Sequence, residues 1–293
     1  MSLTGWLKRS ARSKHLAPAW EFQVRGIIWR LLPSGKGQFV GEERNIGEKR
    51  VSFFCIDAEN GAQLWRDLRL AEPWWIGIEA LHDDLVLLHE YAMPDFPDHK
   101  KIHALDLFSG KLRWSNEEVT YLFSQGNGIY AARDQSDGRT YLELDPMTGG
   151  ETRELEGEAL NALRKSVRYE ERIDFPVPFV HPGSEGEDVA GTIAKLVSGA
   201  GRVHFIEYLR KKDLLGVAYY AATGNDPVEP LLDHHFLIAE EKSGRILYRD
   251  ILNSRAAAAV PDAFFGLGDR FYSISEKRIL RAFDAQTGSG PHG

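Results

Sequence analysis

Apolar and polar residues alternate with a period of two along most of this chain, in short runs separated by turn-forming residues. Runs of this kind, rich in β-branched and aromatic residues, predict β-strands. Several of them end in the same device, an acidic residue followed four positions later by glycine. The copies are Asp57–Gly61, Asp106–Gly110, Asp145–Gly149, Glu240–Gly244 and Asp284–Gly288. The recurrence predicts one structural unit repeated along the chain.

Each device is predicted to close a β-hairpin. The acidic side chain can accept hydrogen bonds from backbone N–H groups two residues on, and glycine adopts a positive φ without steric cost. A large ring stands four positions after the glycine at Trp65, Trp114 and Tyr248, whereas Arg153 occupies that place in the third copy. A second strand is expected to begin directly after the glycine in the first four copies.

Another pair of strands is predicted upstream of every device, joined by a tight turn such as Ser34–Gly37. Each unit is therefore expected to be a four-stranded antiparallel meander, and such units form the blades of β-propellers. The last device lacks the strand that should follow it. Residues 18–24, which include Trp20, match that strand. We therefore expect the start of the chain to complete the final blade and to cover an exposed sheet edge.

The pattern thus predicts an all-β fold, a β-propeller of four-stranded antiparallel blades. We expect one domain over residues 17–288, between a flexible basic tail at 1–16 and a short tail at 289–293. Residues 156–202 contain no copy of the device and are predicted to be a partly helical insert. Its helices are expected at Glu158–Glu170 and Asp188–Ser198. Five blades are favoured, and a sixth, degenerate blade within the insert is the alternative.

Composition narrows the classes of function. A net charge of −7 argues against nucleic-acid binding, which depends on clustered Lys and Arg. No apolar stretch approaches the ~20 residues of a membrane span, and no apolar segment of a secretory signal follows the basic residues near Met1. We therefore expect a cytoplasmic protein without a membrane span. The single cysteine, Cys55, lies in an apolar run and is predicted to be a small buried hydrophobe.

The device with its trailing tryptophan, as in Asp57–Trp65 and Asp106–Trp114, resembles the tryptophan-docking repeat of the quinoprotein, or PQQ-like, β-propeller superfamily. The resemblance covers most of the chain outside 156–202. It implies the propeller fold but no single function, because the superfamily includes scaffold proteins as well as dehydrogenases. The dehydrogenases are implied to have more blades, a vicinal Cys–Cys disulfide and a calcium ion. With one cysteine in the chain, we expect no quinone cofactor, and a vestigial quinone site is a further alternative.

Long loops are predicted on one face of the propeller, where repeat proteins place insertions that bind partners. We therefore expect a non-enzymatic binding or scaffold module that recognises a protein or peptide on this face, with apolar contacts from the insert. The alternative is a propeller hydrolase or lyase with histidines and carboxylates at the channel mouth. Its candidate residues are His99, His234, His235, Asp233, Glu79 and Glu207. No metal site is predicted, because adjacent histidines in a strand point to opposite sides and at most one faces a given site.

Overall fold

The computed structural model describes residues 15–92, 98–136, 138–167, 173–179, 187–223, 231–258 and 263–285. These residues form an all-β protein with two short helices. They fall into two compact units. The N-terminal unit consists of residues 20–173 with 276–280, and the C-terminal unit consists of residues 174–275 with 15–19 and 281–285.

The N-terminal unit begins with β1 (Trp20–Gln23) and contains three antiparallel four-stranded sheets, each in the strand order of the sequence. The first sheet consists of β2 (Ile27–Pro33), β3 (Gln38–Asn45), β4 (Arg50–Asp57) and β5 (Gln63–Leu68). The second consists of β6 (Ile76–His82), β7 (Leu85–Tyr91), β8 (His99–Asp106) and β9 (Leu112–Asn116). The third consists of β10 (Thr120–Gln125), β11 (Gly128–Gln135), β12 (Gly138–Leu144) and β13 (Glu151–Leu155), and α1 (Gly157–Ser166) follows it. The predicted four-stranded meanders are confirmed.

The C-terminal unit contains one five-stranded sheet and the last strands of the chain. Its elements are β14 (Val177–Pro178), α2 (Glu187–Val197), β15 (Val203–Lys211), β16 (Leu214–Thr223), β17 (Leu231–Glu240), β18 (Ile246–Ala256), β19 (Phe264–Leu267), β20 (Arg270–Ser275) and β21 (Ile279–Asp284), the last of which begins in the N-terminal unit. Strands β14 to β18 pair in sequence order, and β20 lies between β19 and β21. Neither of the two described helices has the length and apolar character that crossing a lipid bilayer requires.

The start of the chain pairs with its last strand, as predicted. In the N-terminal unit the N–H of Val24 donates to the carbonyl of Arg278 at 3.0 Å. In the C-terminal unit the N–H of Ala19 donates to the carbonyl of Ala282 at 2.8 Å. The edge of β21 is therefore covered by backbone from the beginning of the chain. The arrangement of the sheets as a propeller, and the count of five blades, stay predictions.

The acidic device forms the turn that its composition predicts. Oδ1 of Asp57 accepts hydrogen bonds from the N–H groups of Glu59 and Asn60 at 2.8 and 3.0 Å. Gly61 closes the turn with a φ of +71° and donates its N–H to the carbonyl of Asp57. Cys55, on the strand before this turn, is buried as predicted.

In the N-terminal unit, a tryptophan reaches from one strand to the acidic device of the next repeat. Each indole Nε1 donates to the carbonyl of the residue after the acidic one. The pairs are Trp20–Ala58, Trp65–Leu107 and Trp114–Pro146, at 3.2, 2.7 and 2.7 Å. The ring lies against the glycine of the device, so that a Cβ built on Gly110 would be 2.9 Å from Cδ2 of Trp65. These contacts explain why the glycine and the tryptophan recur together in the sequence.

The two predicted helices of the insert are confirmed as α1 and α2, and residues 168–170 of the first prediction lie outside the described residues. Leu160 of α1 packs against the third sheet of the N-terminal unit. Val189, Ile193 and Leu196 of α2 pack against β16 and β17 of the C-terminal unit. The described residues of 156–202 form no four-stranded sheet. The helices thus bury these apolar side chains in their own units, and the expectation that the insert supplies apolar contacts to a partner stays a prediction.

Candidate functional site

Four strands contain a β-bulge: β2, β6 and β10, which begin the three sheets of the N-terminal unit, and β15 of the C-terminal unit. In each of them the pairing with the following strand shifts by one residue. The residues left unpaired at the shifts are Trp29, Glu79, Leu122 and Phe205. A bulge turns a side chain out of the regular alternation, and bulges are frequent beside functional sites. Trp29 and Phe205 are 58% and 75% exposed, whereas Glu79 meets polar partners.

Glu79 contacts two histidines from the neighbouring strands of the N-terminal unit. Its Oε2 accepts a hydrogen bond from Nδ1 of His99 at 2.7 Å and lies 2.8 Å from Nδ1 of His89. The two imidazole rings are stacked, with centroids 3.5 Å apart and planes 7° from parallel. One donor atom from each residue lies within 4.8 Å of the others. In the described ranges of the chain this is the one such group of three potential metal ligands.

Two irregularities in the strand pairing bring these residues together. On the side of β6, the bulge at Glu79 interrupts the pairing with β7. On the side of β8, the pairing with β7 shifts between Leu88 and Glu90, where Lys101 has a φ of +59°. His89 stands on β7 at the second irregularity. The three ligand atoms therefore come from three adjacent strands, which is a rigid support for a site.

A buried ion pair supports the site from the first sheet. Oε2 of Glu42 accepts a hydrogen bond from the N–H of Ile78 at 3.0 Å, and its Oε1 accepts one from Nε of Arg44 at 2.6 Å. A Cβ at Gly77 would lie 3.0 Å from Oε2 of Glu42 and 3.3 Å from Cε1 of His89. Gly77 therefore leaves the room in which Glu42 and His89 approach each other. The ion pair fixes β3 beside β6 within the N-terminal unit.

Burial and charge set the protonation states of the site. His89 is 2% exposed, its Nδ1 contacts Oε2 of Glu79 at 2.8 Å, and its Nε2 makes no hydrogen bond within the described part of the chain. Burial lowers the pKa of His89, although the Glu79 carboxylate opposes this effect. Burial by itself would raise the pKa of Glu79, but the imidazoles of His89 and His99 lower it to about 2. Glu79 is therefore a carboxylate at neutral pH.

A cavity of about 690 Å³ adjoins Glu79 in the N-terminal unit. Its walls come from β6, from β10 with the turn after it, and from the end of α1. Polar and apolar residues line it, among them Glu79, His82, Leu122, Ser124, Gln125 and Val167. Its volume falls within the range of about 300–1,000 Å³ that is usual for small-ligand sites. Glu79 thus contacts both histidines and also lines the cavity.

The other predicted histidines lie in the C-terminal unit. His234 and His235 are adjacent on β17 and stack on Tyr220 and Tyr219, with ring centroids 4.1 and 4.9 Å apart. The side chain of His234 is fully buried, and burial together with the charge of His235 lowers the pKa of His234 to about 4. Burial also lowers the pKa of His235. Each imidazole thus packs on its own tyrosine.

The two remaining candidates also have local roles in the C-terminal unit. Oδ1 of Asp233 accepts a hydrogen bond from the N–H of Arg255 at 2.8 Å. Glu207 lies on β15 and pairs with Pro178 of β14. Of the six residues that the sequence suggested, the structure therefore groups Glu79 with His99 and adds His89, which the sequence analysis did not name as a site residue.

Comparison with known families gives one match. A family model described as a domain of unknown function (DUF4905) matches residues 32–114. This segment is less than half of the chain, but it contains Glu79, His89 and His99. No curated protein matches the chain.

Solved structures of low sequence identity are similar to most of the chain. BamB from Moraxella catarrhalis is 15% identical, with 89% of this chain and 70% of that chain covered and a TM-score of 0.23. An exo-β-1,3-galactanase from Phanerochaete chrysosporium, solved with galactose, is 9% identical, with 94% and 65% covered and a TM-score of 0.27. The β-propeller domain of Myceliophteria thermophila Cps50 (Swd1) is 10% identical, with 89% and 98% covered and a TM-score of 0.32. TM-scores of this size do not establish a shared arrangement of the sheets.

Proposed function

We propose that this chain is a cytoplasmic, non-enzymatic β-propeller module that binds a protein partner by an extended segment of that partner. The observation that carries the proposal lies in the C-terminal unit, where an extended part of the chain runs along the edge of β15. There β14 pairs with Tyr208 and Glu207, and the N–H of Phe179 donates to the carbonyl of Ile206 at 2.7 Å. Main-chain hydrogen bonds of this kind give affinity for a peptide, and neighbouring side chains give specificity.

The other end of the same segment pairs with β19, which is an edge strand of its sheet. Asp174 and Gly266 of β19 exchange two backbone hydrogen bonds of 2.8 Å. Phe175 and Val177, between these two attachment points, are 56% and 49% exposed. An extended stretch of six residues, 174–179, thus joins the edges of β15 and β19 within one unit.

The N-terminal unit offers edges of the same kind to a partner. β6 and β10 are the first strands and the edge strands of their sheets, and both line the 690 Å³ cavity. Edge strands present backbone N–H and C=O groups for pairing with another chain. We therefore assign the partner's extended segment to this cavity, along β10.

A peptide selection tests the proposal. We expect a displayed random-peptide library to yield binders of the purified chain, and the Ser124→Trp variant, which fills the cavity, to weaken their binding at least about tenfold, a change of ~1.4 kcal/mol. Lys111→Trp adds the same ring at an exposed position of the same unit and should leave binding unchanged. Fluorescence anisotropy of labelled peptides measures both. Equal affinity for the Ser124→Trp variant and the parent chain, or no binders at all, contradicts the proposal.

A second candidate function is a hydrolase or lyase, favoured by one observation. His99 donates a 2.7 Å hydrogen bond to Glu79, which lines the cavity, and carboxylates orient the imidazoles of general bases in this way. A panel of ester, phosphoester and glycoside substrates tests this candidate, and His99→Gln should abolish any turnover that the parent chain shows. Turnover that persists in His99→Gln, or none in the parent, contradicts it.

A further inference from the structure

We propose that Glu79, His89 and His99 bind a divalent transition-metal ion of the zinc class. The proposal rests on the geometry of the three side chains and is independent of peptide binding. It assigns one imidazole nitrogen from each histidine and a carboxylate oxygen from Glu79 as the protein ligands.

The donor set fits zinc. Two imidazoles and one carboxylate are ligands that Zn²⁺ accepts, and three protein ligands leave the fourth tetrahedral position open. The open position is supplied here by the cavity that Glu79 adjoins. Zinc–ligand bonds of about 2.0–2.2 Å place tetrahedral ligands roughly 3.3 Å apart. Oε2 of Glu79 is 2.7 and 2.8 Å from the Nδ1 atoms of His99 and His89, so these two distances are each about half an ångström shorter than this spacing.

The state of His89 points to a missing ligand. Its ring is almost fully buried, and Nε2 has no hydrogen-bond partner in the described part of the chain. A buried polar group in this state costs free energy unless a partner satisfies it. Nδ1 of His89 already lies 2.8 Å from the Glu79 carboxylate oxygen, so an ion bound to that oxygen is within reach of the nitrogen.

Both Nδ1 atoms lie close to the same carboxylate oxygen, at 2.7 Å for His99 and 2.8 Å for His89. The two rings are stacked with planes 7° from parallel. Because an imidazole binds a metal through the lone pair in its ring plane, binding of one ion by both histidines requires one ring to turn out of the stack. The carboxylate charge of Glu79 attracts a cation to this position.

The charges around the site leave it suited to a cation. Glu42 is neutralised by Arg44 at 2.6 Å, and Lys101 is held by two other glutamates. Among the three proposed ligands, the Glu79 carboxylate therefore carries a negative charge that Arg44 and Lys101 do not neutralise. His99 is partly exposed, and Glu79 borders the cavity, so an ion can enter from solvent.

Metal titration of the purified full chain tests the proposal. After treatment with a chelator, isothermal titration with Zn²⁺ should give one equivalent of bound metal. Glu79→Gln and His99→Gln should each weaken binding by more than about 100-fold, which exceeds the usual effect of residues that merely support ligands. His103→Gln is the matched control, since His103 lies on the same strand and bonds to Ser115 and Glu90 instead. It should retain the affinity of the parent chain.

Two further readouts separate loss of a ligand from loss of the fold. Saturating Zn²⁺ should raise the melting temperature of the parent chain and of His103→Gln, and leave that of His99→Gln unchanged. X-ray absorption of the zinc-loaded parent chain, which needs no variant, should show two imidazoles in the first shell. No binding by the parent chain, undiminished binding by both ligand variants, or fewer than two imidazoles overturns the proposal. None of these results bears on peptide binding, which is measured without metal.

Discussion

At Gly110 the backbone φ is +68°, and the ring of Trp65 lies against the α-carbon. The positive φ would strain any other residue, and the indole ring leaves no room for a side chain. Gly37 also has a positive φ, of +87°, but it is not crowded, because nothing lies within 4 Å of a Cβ built on it. The two glycines therefore allow strain and crowding to be measured separately.

We expect Gly110→Ala to lower the free energy of unfolding by about 2–4 kcal/mol, the sum of backbone strain and overpacking. Gly37→Ala should cost only about 1–2 kcal/mol, from backbone strain alone. Urea unfolding followed by tryptophan fluorescence measures both. Equal losses in the two variants would show that the indole does not hold its place against the glycine.

Strand β17 carries a titratable group inside the core of the C-terminal unit. His234 is fully buried against Tyr220, and its pKa of about 4 lies below the ordinary value of 6.5. The unfolded chain therefore binds a proton at His234 before the folded chain does. The stabilising contribution of the neutral imidazole is complete above pH 6.5 and is lost as the pH falls toward 4.

Between pH 7 and pH 5, protonation of His234 in the unfolded chain should cost about 2 kcal/mol of stability. His234→Phe keeps a ring stacked on Tyr220 and removes the titration, so its stability should fall by about 2 kcal/mol less over the same interval. Urea unfolding of both proteins at the two pH values measures the difference. Parallel losses would contradict the assigned pKa.

Sequence patterns predicted the elements of this protein well, because strand alternation and turn composition are local properties. The acidic device, its glycine and the two helices of the insert could all be identified from spacing alone. The bulges could not, since an extra residue in a strand leaves the alternation of apolar residues almost intact. The left-handed backbone of Lys101 gives no compositional signal either.

Because the bulges leave no signal in the sequence, the sequence revealed only part of the candidate site. Glu79 and His99 were named as separate candidates, and His89 was not, because regular pairing does not predict that the three meet. The one local signal is a polar pair, His89 and Glu90, directly after the apolar run Leu85–Leu88. Glu42 and Arg44 give a comparable signal, since charged residues in the middle of a strand are seldom buried without a partner.

At the scale of the whole molecule, the fold depends on the first residues that the structure describes. The N–H of Leu16 donates to the carbonyl of Leu247 at 2.9 Å, and Ala19 and Val24 bond to the segment that contains β21. An uncovered β21 would expose a sheet edge to other chains.

Deletion of residues 1–24 should therefore abolish cooperative thermal unfolding and produce aggregates, whereas deletion of residues 1–14 removes none of these bonds and should leave the melting temperature unchanged. Size-exclusion chromatography and circular dichroism measure both outcomes. A synthetic peptide of residues 15–24 should restore a soluble monomer to the longer deletion. A soluble, cooperatively folded protein without residues 1–24 would contradict the role of β1.

The pairing of β1 with β21 also has a consequence for biosynthesis. Among the strands that the structure describes, the ribosome makes β1 first and its partner β21 last. At roughly 5–20 residues per second, β1 waits on the order of tens of seconds for β21 to emerge. During this interval the nascent chain carries an unmatched strand, which is the state that chaperones protect from aggregation.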